Sequence, residues 1–164
     1  MPFDVYGRNG NYFMNNISGW HPLWQFACEQ YPDILTQEDL ELGSCNQGHF
    51  INAEKATRLG EQLLQCCVRG VAEAYEKQRQ QKLNALPDEV CQFCHGTGQR
   101  HDQYVDGVCN ACHGEGKLPA SEKQFLFHAD NVRRFAEFCL ALGGLRNLVI
   151  PIRPCCLCSR IRRR

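Results

Sequence analysis

Residues 91–116 contain one short sequence motif twice, and this repeat restricts the possible folds more than any other feature of the chain. The stretch reads CQFCHGTGQRHDQYVDGVCNACHGEG, in which Cys-x-x-Cys-His-Gly-x-Gly recurs after 18 residues. Its cysteines, Cys91, Cys94, Cys109 and Cys112, follow the spacing C-x2-C-x14-C-x2-C. Two residues between cysteines allow one tight turn to direct both sulfurs at a single ion, and a second turn completes a tetrahedron. The spacing therefore predicts one structural Zn²⁺ bound by these four residues.

The residues around the cysteines fit the same interpretation. Gly96 and Gly114 follow the second cysteine of each pair, where the backbone must turn beneath the sulfur, so we expect a positive φ at both. The segment 105–108, Val-Asp-Gly-Val, looks like a hairpin turn with Asp-Gly at its tip. His95 and His113 are not predicted to be ligands.

Haem attachment and disulfide formation fit part of the same pattern. Both copies match the Cys-x-x-Cys-His pattern of c-type haem sites. Haem attachment requires export, however, and MPFDVYGRNGNYF at the start lacks the basic and apolar segments of a secretory signal. Disulfides among the twelve cysteines would need an oxidising compartment. We expect a cytoplasmic protein without membrane association, since no apolar run approaches the roughly 20 residues of a membrane-spanning helix.

The repeat resembles the cysteine-rich zinc domain of the DnaJ (Hsp40) co-chaperones, in which Cys-x-x-Cys-x-Gly-x-Gly recurs. The matching residues are Cys91, Cys94, Gly96 and Gly98 in the first copy and Cys109, Cys112, Gly114 and Gly116 in the second. The resemblance covers roughly 28 of the 164 residues. It implies a zinc-clasped double hairpin and contact with another protein or peptide.

The chain also departs from those co-chaperones. They carry four such repeats and two zinc ions, whereas two repeats and the ligands for one ion are present here. The His-Pro-Asp tripeptide of a J domain is missing, because His21-Pro22 is followed by Leu23. The resemblance therefore does not imply stimulation of a partner chaperone.

A second resemblance extends over more of the chain but carries no function. The segments GNYFMNN, WHPLW and NVRRFAEFC, the last followed by Gly-Gly, resemble a group of small uncharacterised bacterial and phage proteins. The sequence from Leu145 onward departs from that group.

The first 31 residues hold eight of the sixteen aromatic residues of the chain, which predicts an anchor for the hydrophobic core. Phe3–Tyr6 is predicted to form a short strand, and Gly7–Asn16 a turn-rich loop. A helix is expected from Pro22 until just before Pro32, since proline is favoured in the first turn of a helix.

Three further helices are expected. Thr36 begins a Ser/Thr-x-x-acid pattern that starts a short helix ending at Gly43. Asn52 can cap a long helix that ends at Leu86-Pro87, with Cys66 and Cys67 as core residues. A last helix is expected over Ala129–Leu142, with Gly143-Gly144 as its cap and a strand at Leu145–Ile152.

These elements predict an α+β fold, mostly helical, with an inserted zinc-clasped double β-hairpin. We expect an aromatic-rich helical region at 1–90, the zinc module at 91–118, and a returning helix, strand and basic tail at 119–164 that pack with 1–90. A second Cys₄ site would need Cys139, Cys155, Cys156 and Cys158, but adjacent thiols chelate one ion awkwardly, so incidental or redox-sensitive thiols are favoured.

Two functions remain open. The chain has no phosphate-binding glycine loop, no His-Glu-x-x-His and no deaminase signature, so catalysis is not expected. The repeat favours a module that binds another protein, for example a phage-type regulator or inhibitor or a chaperone-like peptide binder. The alternative is a nucleic-acid binder, because residues 91–164 have a net charge of +5. Its candidate contacts are Arg100, Lys117, Arg133, Arg134, Arg146 and the terminal arginines.

Overall fold

The computed structural model describes residues 2–7, 10–45, 48–141 and 148–149 of the chain. Within them lie five α-helices: α1 (Ile17–Gln30), α2 (Gln37–Ser44), α3 (Ala53–Val68), α4 (Val71–Asn84) and α5 (Ala129–Ala141). The strands are β1 (Pro2–Gly7), β2 (Tyr12–Asn16), β3 (Phe50–Ile51), β4 (Glu89–Val90), β5 (Gln99–His101), β6 (Asp106–Val108), β7 (Lys117–Leu118) and β8 (Leu148–Val149). The predicted α+β fold is confirmed.

The chain divides into two compact units. The larger unit, called the body below, consists of Met1–Gln78 and Phe125–Arg164, and the smaller one, the cysteine unit, is Arg79–Gln124. The body has an antiparallel sheet in the order β2-β1-β8-β3, and the cysteine unit has the antiparallel pairs β4-β7 and β5-β6. No helix in the described part of the chain has the length and apolar character needed to cross a bilayer.

The first 30 residues differ from their prediction at two places. The expected loop at Gly7–Asn16 contains strand β2, which pairs with β1 along its whole length, with Val5 opposite Phe13. Helix α1 begins at Ile17 rather than near Pro22, because the Asn16 side chain caps it by accepting a hydrogen bond from the Gly19 N–H at 2.8 Å. Pro22 therefore lies inside the helix, in its second turn.

The long helix expected after Asn52 is divided in two. Asn52 does cap it, since its side chain accepts from the Lys55 N–H at 2.8 Å. However, α3 ends at Val68, and Gly70 takes a φ of +72°, the left-handed conformation that ends helices and favours glycine. A new helix, α4, begins at Val71. Cys66 and Cys67 are buried in the core, as predicted.

Two tryptophans of α1 form the centre of the body. Trp20 and Trp24 are fully buried and stacked, with ring centroids 5.3 Å apart, and Phe135 of α5 meets Trp20 edge-on. Each indole N–H donates to a backbone carbonyl of α2, Trp20 to Gly43 and Trp24 to Asp39. A buried indole needs such a partner, so these bonds fix α1 against α2.

A buried carboxylate links α2 to α3. Asp39 is only 4% exposed and completes the capping box with Thr36, whose backbone N–H donates to Asp39 Oδ2 at 2.7 Å. Lys55 Nζ lies 2.7 Å from the same oxygen, and His49 Nε2 lies 2.7 Å from Oδ1. Burial raises the pKa of this carboxyl, but the bonds from Lys55, Thr36 and His49 outweigh it and hold the pKa well below its usual range.

This carboxylate gives the body a predictable pH dependence. Because the folded pKa of Asp39 lies below the unfolded value of about 3.9, its stabilisation is present above that value and is lost as the pH falls through the folded pKa. We expect Asp39→Asn to lower the free energy of unfolding by about 1.5–3 kcal/mol at pH 7. That difference should shrink below about pH 4.

Urea unfolding followed by tryptophan fluorescence measures the effect, since both tryptophans lie in α1. The matched control is Asp33→Asn, because Asp33 is 70% exposed and 3.6 Å from Arg58, a surface pair. The control should change stability by no more than about 0.5 kcal/mol. Equal effects of the two substitutions would contradict the argument.

Candidate metal centre

The four repeat cysteines lie together inside the cysteine unit. Cys91 and Cys109 are fully buried, and Cys94 and Cys112 are 4% exposed. Their Sγ atoms all lie within 4.8 Å of one another, although the two pairs are far apart in sequence. The arrangement forms the small core of this unit, against which Ala111 and Leu118 pack.

The distances between sulfurs fit a tetrahedral metal site. Cys91 Sγ lies 3.9 Å from Cys109 Sγ, and Cys94 Sγ lies 3.6 Å from Cys112 Sγ. A tetrahedron with metal–sulfur bonds near 2.3 Å has S···S edges of about 3.8 Å. A disulfide would need sulfurs at about 2.05 Å. The four cysteines can therefore hold one metal ion.

The two copies of the motif are related by an approximate two-fold axis. The Cys91 N–H donates to Gly116 O at 2.8 Å, and the Cys109 N–H, 18 residues later, donates to Gly98 O at 2.9 Å. The strand pairs have the same symmetry: Val90 pairs with Lys117, and the equivalent residues Val108 and Gln99 pair with each other. Each copy thus completes its backbone bonding only with the other, which brings the two cysteine pairs together.

Four glycines make this exchange possible. Gly96 and Gly114 have φ values of +86° and +90°, which confirms the expected positive φ. Gly98 and Gly116 lie so close to the other copy that an added Cβ would be 2.3 Å from Gly114 O or Gly96 O respectively. Only glycine, which has no Cβ, allows this approach of the two backbones.

His95 and His113 have a structural peculiarity of their own. They adopt φ values of +53° and +52°, which is uncommon for residues with a side chain. Both are exposed. The left-handed turn at these two positions directs the chain from the second cysteine of each pair into the glycine pair that follows.

The hairpin that joins the two copies turns earlier than predicted. Its tip lies at residues 102–105, where the Asp102 N–H donates to Val105 O at 2.9 Å. The Asp102 side chain accepts from the N–H groups of Tyr104 and Val105, so it supplies the turn that Asp-Gly was expected to supply. Asp106 and Gly107 instead belong to β6.

The pKa values of the cysteine thiols differ, so the four do not lose their protons equally easily. Burial raises the pKa of Cys94, but N–H donors at Gly98 and Gly96 and the neighbouring thiols outweigh it and lower the pKa to about 7. Donation from the Cys112 N–H likewise lowers the pKa of Cys109. Burial raises the pKa of Cys112 to about 11, and its contacts with Cys94 and Cys109 oppose a further charge. A divalent cation is needed to hold all four as thiolates.

The residues of the nucleic-acid alternative lie in both units. Arg100 and Lys117 belong to the cysteine unit, Arg133 and Arg134 belong to the body, and Arg146 lies outside the described residues. Arg133 lies 3.8 Å from Glu73. Arg134 lies over the ring of Phe13, with 5.7 Å to the ring centroid.

Arg100 is held in place by three neighbours within its unit. It forms an ion pair with Asp102, donates to Asn110 Oδ1 at 3.3 Å and lies 5.3 Å from the centroid of Phe93. Its side chain is 15% exposed. The sequence identified Arg100 only as a positive charge and did not single out Phe93. The sequence does contain a signal for this pair: Phe93 and Arg100 are not repeated, because Ala111 and Leu118 occupy the equivalent positions in the second copy.

The four cysteines of the disfavoured second site lie only partly within the described residues. Cys139 is fully buried in α5, where burial raises the pKa of its thiol well above the usual range. Cys155, Cys156 and Cys158 lie outside the described residues. Among the described residues, the four repeat cysteines form the one group of His, Cys, Asp and Glu that could hold a metal ion.

Comparison with protein-family models, with curated proteins and with solved structures finds no match to this chain. The resemblance to DnaJ repeats therefore depends on the eight matching cysteines and glycines alone and stays a prediction.

The crossing of the two copies predicts which glycines the metal site needs. Gly98→Ala or Gly116→Ala would force the backbones apart, because each Cβ would be 2.3 Å from a carbonyl oxygen. We expect either change to lower metal affinity about 10–100-fold, as loss of a contact behind the ligands does. Competition with a chromophoric chelator measures this affinity.

Gly107→Ala is the matched control for these two changes. Gly107 also has a positive φ, +128°, but an added Cβ would meet nothing within 4 Å. The difference between the variants therefore reports the steric conflict and not the backbone conformation alone. An affinity for metal that is the same in all three variants would contradict the role of the crossing.

Proposed function

We propose that the chain binds one structural Zn²⁺ through Cys91, Cys94, Cys109 and Cys112, and that the unit folded around it binds another protein. The observation that carries the first part is the tetrahedral spacing of four buried sulfurs. Four thiolates in this geometry favour zinc, with iron as the other common occupant. A Cys₄ site has no open position for water, so the role of the ion is structural and not catalytic.

Zinc is proposed to supply the cohesion that this unit otherwise lacks. Apart from the four cysteines, the buried hydrophobic residues described in Arg79–Gln124 are Leu83 and Ala120. So small an apolar core cannot offset the entropy lost when the chain is ordered. In small zinc modules the metal contributes on the order of 10 kcal/mol to folding.

Exposed apolar side chains support a protein partner. Val90, Phe93, Tyr104 and Val108 are 66%, 46%, 77% and 60% exposed in a unit of fewer than fifty residues. Exposed apolar and aromatic side chains that lie close together are typical of surfaces that bind another protein. Two of the four, Val90 and Val108, occupy equivalent positions in the two copies and pack with Cγ1 above Gly96 and Gly114.

The charge of the same unit disfavours nucleic acid as its ligand. Arg79–Gln124 contains five Lys or Arg and six Asp or Glu, a net charge of −1. Four thiolates and one divalent ion add a further −2. Its Arg100 is already paired with Asp102. Phosphate binding requires unpaired positive charge, so a protein fits this surface better.

The departure from two-fold symmetry locates the proposed contact. The metal and the crossed backbones require the same residues in both copies, and these are repeated. Phe93 and Arg100 are not repeated, since the second copy has Ala111 and Leu118. The exposed Phe93 ring, fixed beneath the Arg100 guanidinium, is therefore the proposed centre of the partner surface.

The metal proposal is tested by elemental analysis of the reduced full chain. We expect one zinc per chain and, after exchange with Co²⁺, the visible spectrum of a tetrahedral thiolate site. Cys109→Ser should lower the zinc content substantially. Removal of zinc should abolish the ordered structure of residues 91–116, measured by amide hydrogen exchange.

The fluorescence of Trp20 and Trp24 provides the internal control, since both residues are in the body and should report no unfolding when zinc is removed. A chain that retains no stoichiometric metal, or binds it equally well after Cys109→Ser, would refute the metal site.

The partner surface is tested with a pair of variants that the repeat provides. We expect Phe93→Ser to abolish capture of a partner from a lysate of the source organism, because a central aromatic contact typically contributes more than about 2 kcal/mol. Ala111→Ser changes the equivalent position of the second copy and should leave capture intact. Both variants should retain full zinc content, so that a lost partner is not a lost fold.

Capture should also persist after nuclease treatment. Loss with both variants, or with nuclease, would contradict the proposed surface without affecting the metal site.

A further inference from the structure

A polar cleft lies on the body, at the first turns of α1 and α5. Its volume is about 460 Å³, within the range of about 300–1,000 Å³ that small-ligand sites occupy. Every residue that lines it belongs to the body, so the cleft is independent of the cysteine unit. Apart from Gly19, each of these residues carries an amide, a carboxylate, an imidazole or a guanidinium group. A cleft with this lining favours a small polar ligand.

The wall of the cleft is held together by hydrogen bonds between elements. Asn15 Nδ2 donates to Asn131 Oδ1 at 3.3 Å, and Asn131 Nδ2 donates to Gly19 O at 3.2 Å. From α4, Glu76 Oε2 accepts from the Ala129 N–H at 3.0 Å. These bonds connect α4 and the first turns of α1 and α5, so a ligand would enter a cleft that is already formed.

Two opposite charges in the cleft are unpaired. Asp130 and Arg134 lie one turn apart on α5, a spacing at which an acid and a base commonly pair, yet neither forms an ion pair within the described part of the chain. The Arg134 guanidinium lies over the Phe13 ring, 5.7 Å from its centroid, which leaves its N–H edges available. The other acid, Glu76, already accepts from the backbone of α5 and lies 3.2 Å from His128.

Amide groups with unused donors lie beside these two charges. The Asn16 side chain caps α1 through its oxygen, and its Nδ2 donates to no other described residue. Asn15 and Asn131 each use one N–H of their amide in the wall, and each amide has a second. The cleft therefore offers one cation, one anion and several neutral hydrogen-bond donors.

This combination of charges selects among ligand classes. A simple anion bound to Arg134 would also face Asp130, and a simple cation bound to Asp130 would also face Arg134. A zwitterion, which carries one charge of each sign, complements both groups. An apolar side chain on the ligand would leave the amides of the wall without partners, whereas a polar one can bond to them.

We propose that this cleft binds a free amino acid with a polar side chain. Its α-carboxylate lies against Arg134 and its α-ammonium against Asp130, and its side chain exchanges hydrogen bonds with the asparagine amides. The site is built from the body alone, so it does not rest on the metal ion or on the partner surface of the cysteine unit.

The test uses isothermal titration calorimetry of the full zinc-loaded chain with L-glutamine, whose carboxamide matches the amides of the wall. We expect saturable binding with a Kd of about 1 mM or tighter. N-acetyl-L-glutamine lacks the α-ammonium charge, and L-glutaminamide lacks the α-carboxylate. Each should bind about 10- to 100-fold more weakly than L-glutamine, the range expected when a hydrogen bond to a charged group is lost.

Two variants assign the charges of the ligand to residues. Arg134→Gln should weaken L-glutamine binding about 10- to 100-fold but leave the Kd for L-glutaminamide unchanged, because that ligand has no carboxylate to lose. Asp130→Asn should weaken L-glutamine binding to the same extent and leave the Kd for N-acetyl-L-glutamine unchanged.

Arg133→Gln is the matched control, since Arg133 is the neighbouring residue, is 52% exposed and lies 3.8 Å from Glu73. It should leave every Kd unchanged. The fluorescence of Trp20 and Trp24, both in α1, should be the same in all variants and so confirm that the body is folded.

Three results overturn the proposal. The first is the absence of saturable binding at L-glutamine concentrations up to about 10 mM, tenfold above the weakest expected Kd. The second is an equal loss of binding with Arg133→Gln and Arg134→Gln. The third is N-acetyl-L-glutamine binding as tightly as L-glutamine, which would assign the cleft to carboxylates in general, such as the C-terminus of a peptide.

Discussion

The cysteine unit depends on the exchange of backbone hydrogen bonds between its two copies. Cys91 bonds to Gly116, and Cys109 bonds to Gly98, so neither cysteine pair has a complete turn without the other. This exchange brings the four sulfurs within 4.8 Å of one another, the spacing of a site for one metal ion. Four thiolates this close would repel one another, and a cation bound between them would relieve that repulsion. The spacing of the sulfurs and the repulsion between their charges therefore both favour a metal ion at this site.

The body is organised by a different constraint, the need to satisfy buried polar groups. The two buried indole N–H groups need acceptors, and they donate to the backbone carbonyls of Gly43 and Asp39 on α2. The buried Asp39 carboxylate needs donors, and its hydrogen-bond partners are Thr36, His49 and Lys55. One residue of α2 thus connects the aromatic centre to α3. Apolar burial supplies the driving force, and these bonds select one arrangement.

The sequence predicted the elements whose signals are local. The capping box at Thr36, the Asn52 cap and the helix at Ala129 all depend on residues within one or two turns of each other, and each was found. The four cysteines were recognised by a repeated motif and not by a local signal, and the structure brings them together. The failures have a common physical origin. Strand β2 is defined by its pairing with β1, the break at Gly70 by a single backbone angle, and the crossing at Gly98 by contact with a residue 16 positions away. None of these leaves a periodic signal in the sequence.

The tip of the hairpin at residues 102–105 has a consequence for the continuity of the chain. The two copies are joined there by one exposed turn, while the bonds that unite them lie at the opposite end, around the sulfurs. A protease that cut this turn would separate the copies covalently but not physically. The two fragments would remain joined through the body, to which Met1–Gln78 and Phe125–Arg164 both belong, so a cut at this turn would open the cysteine unit without releasing either fragment.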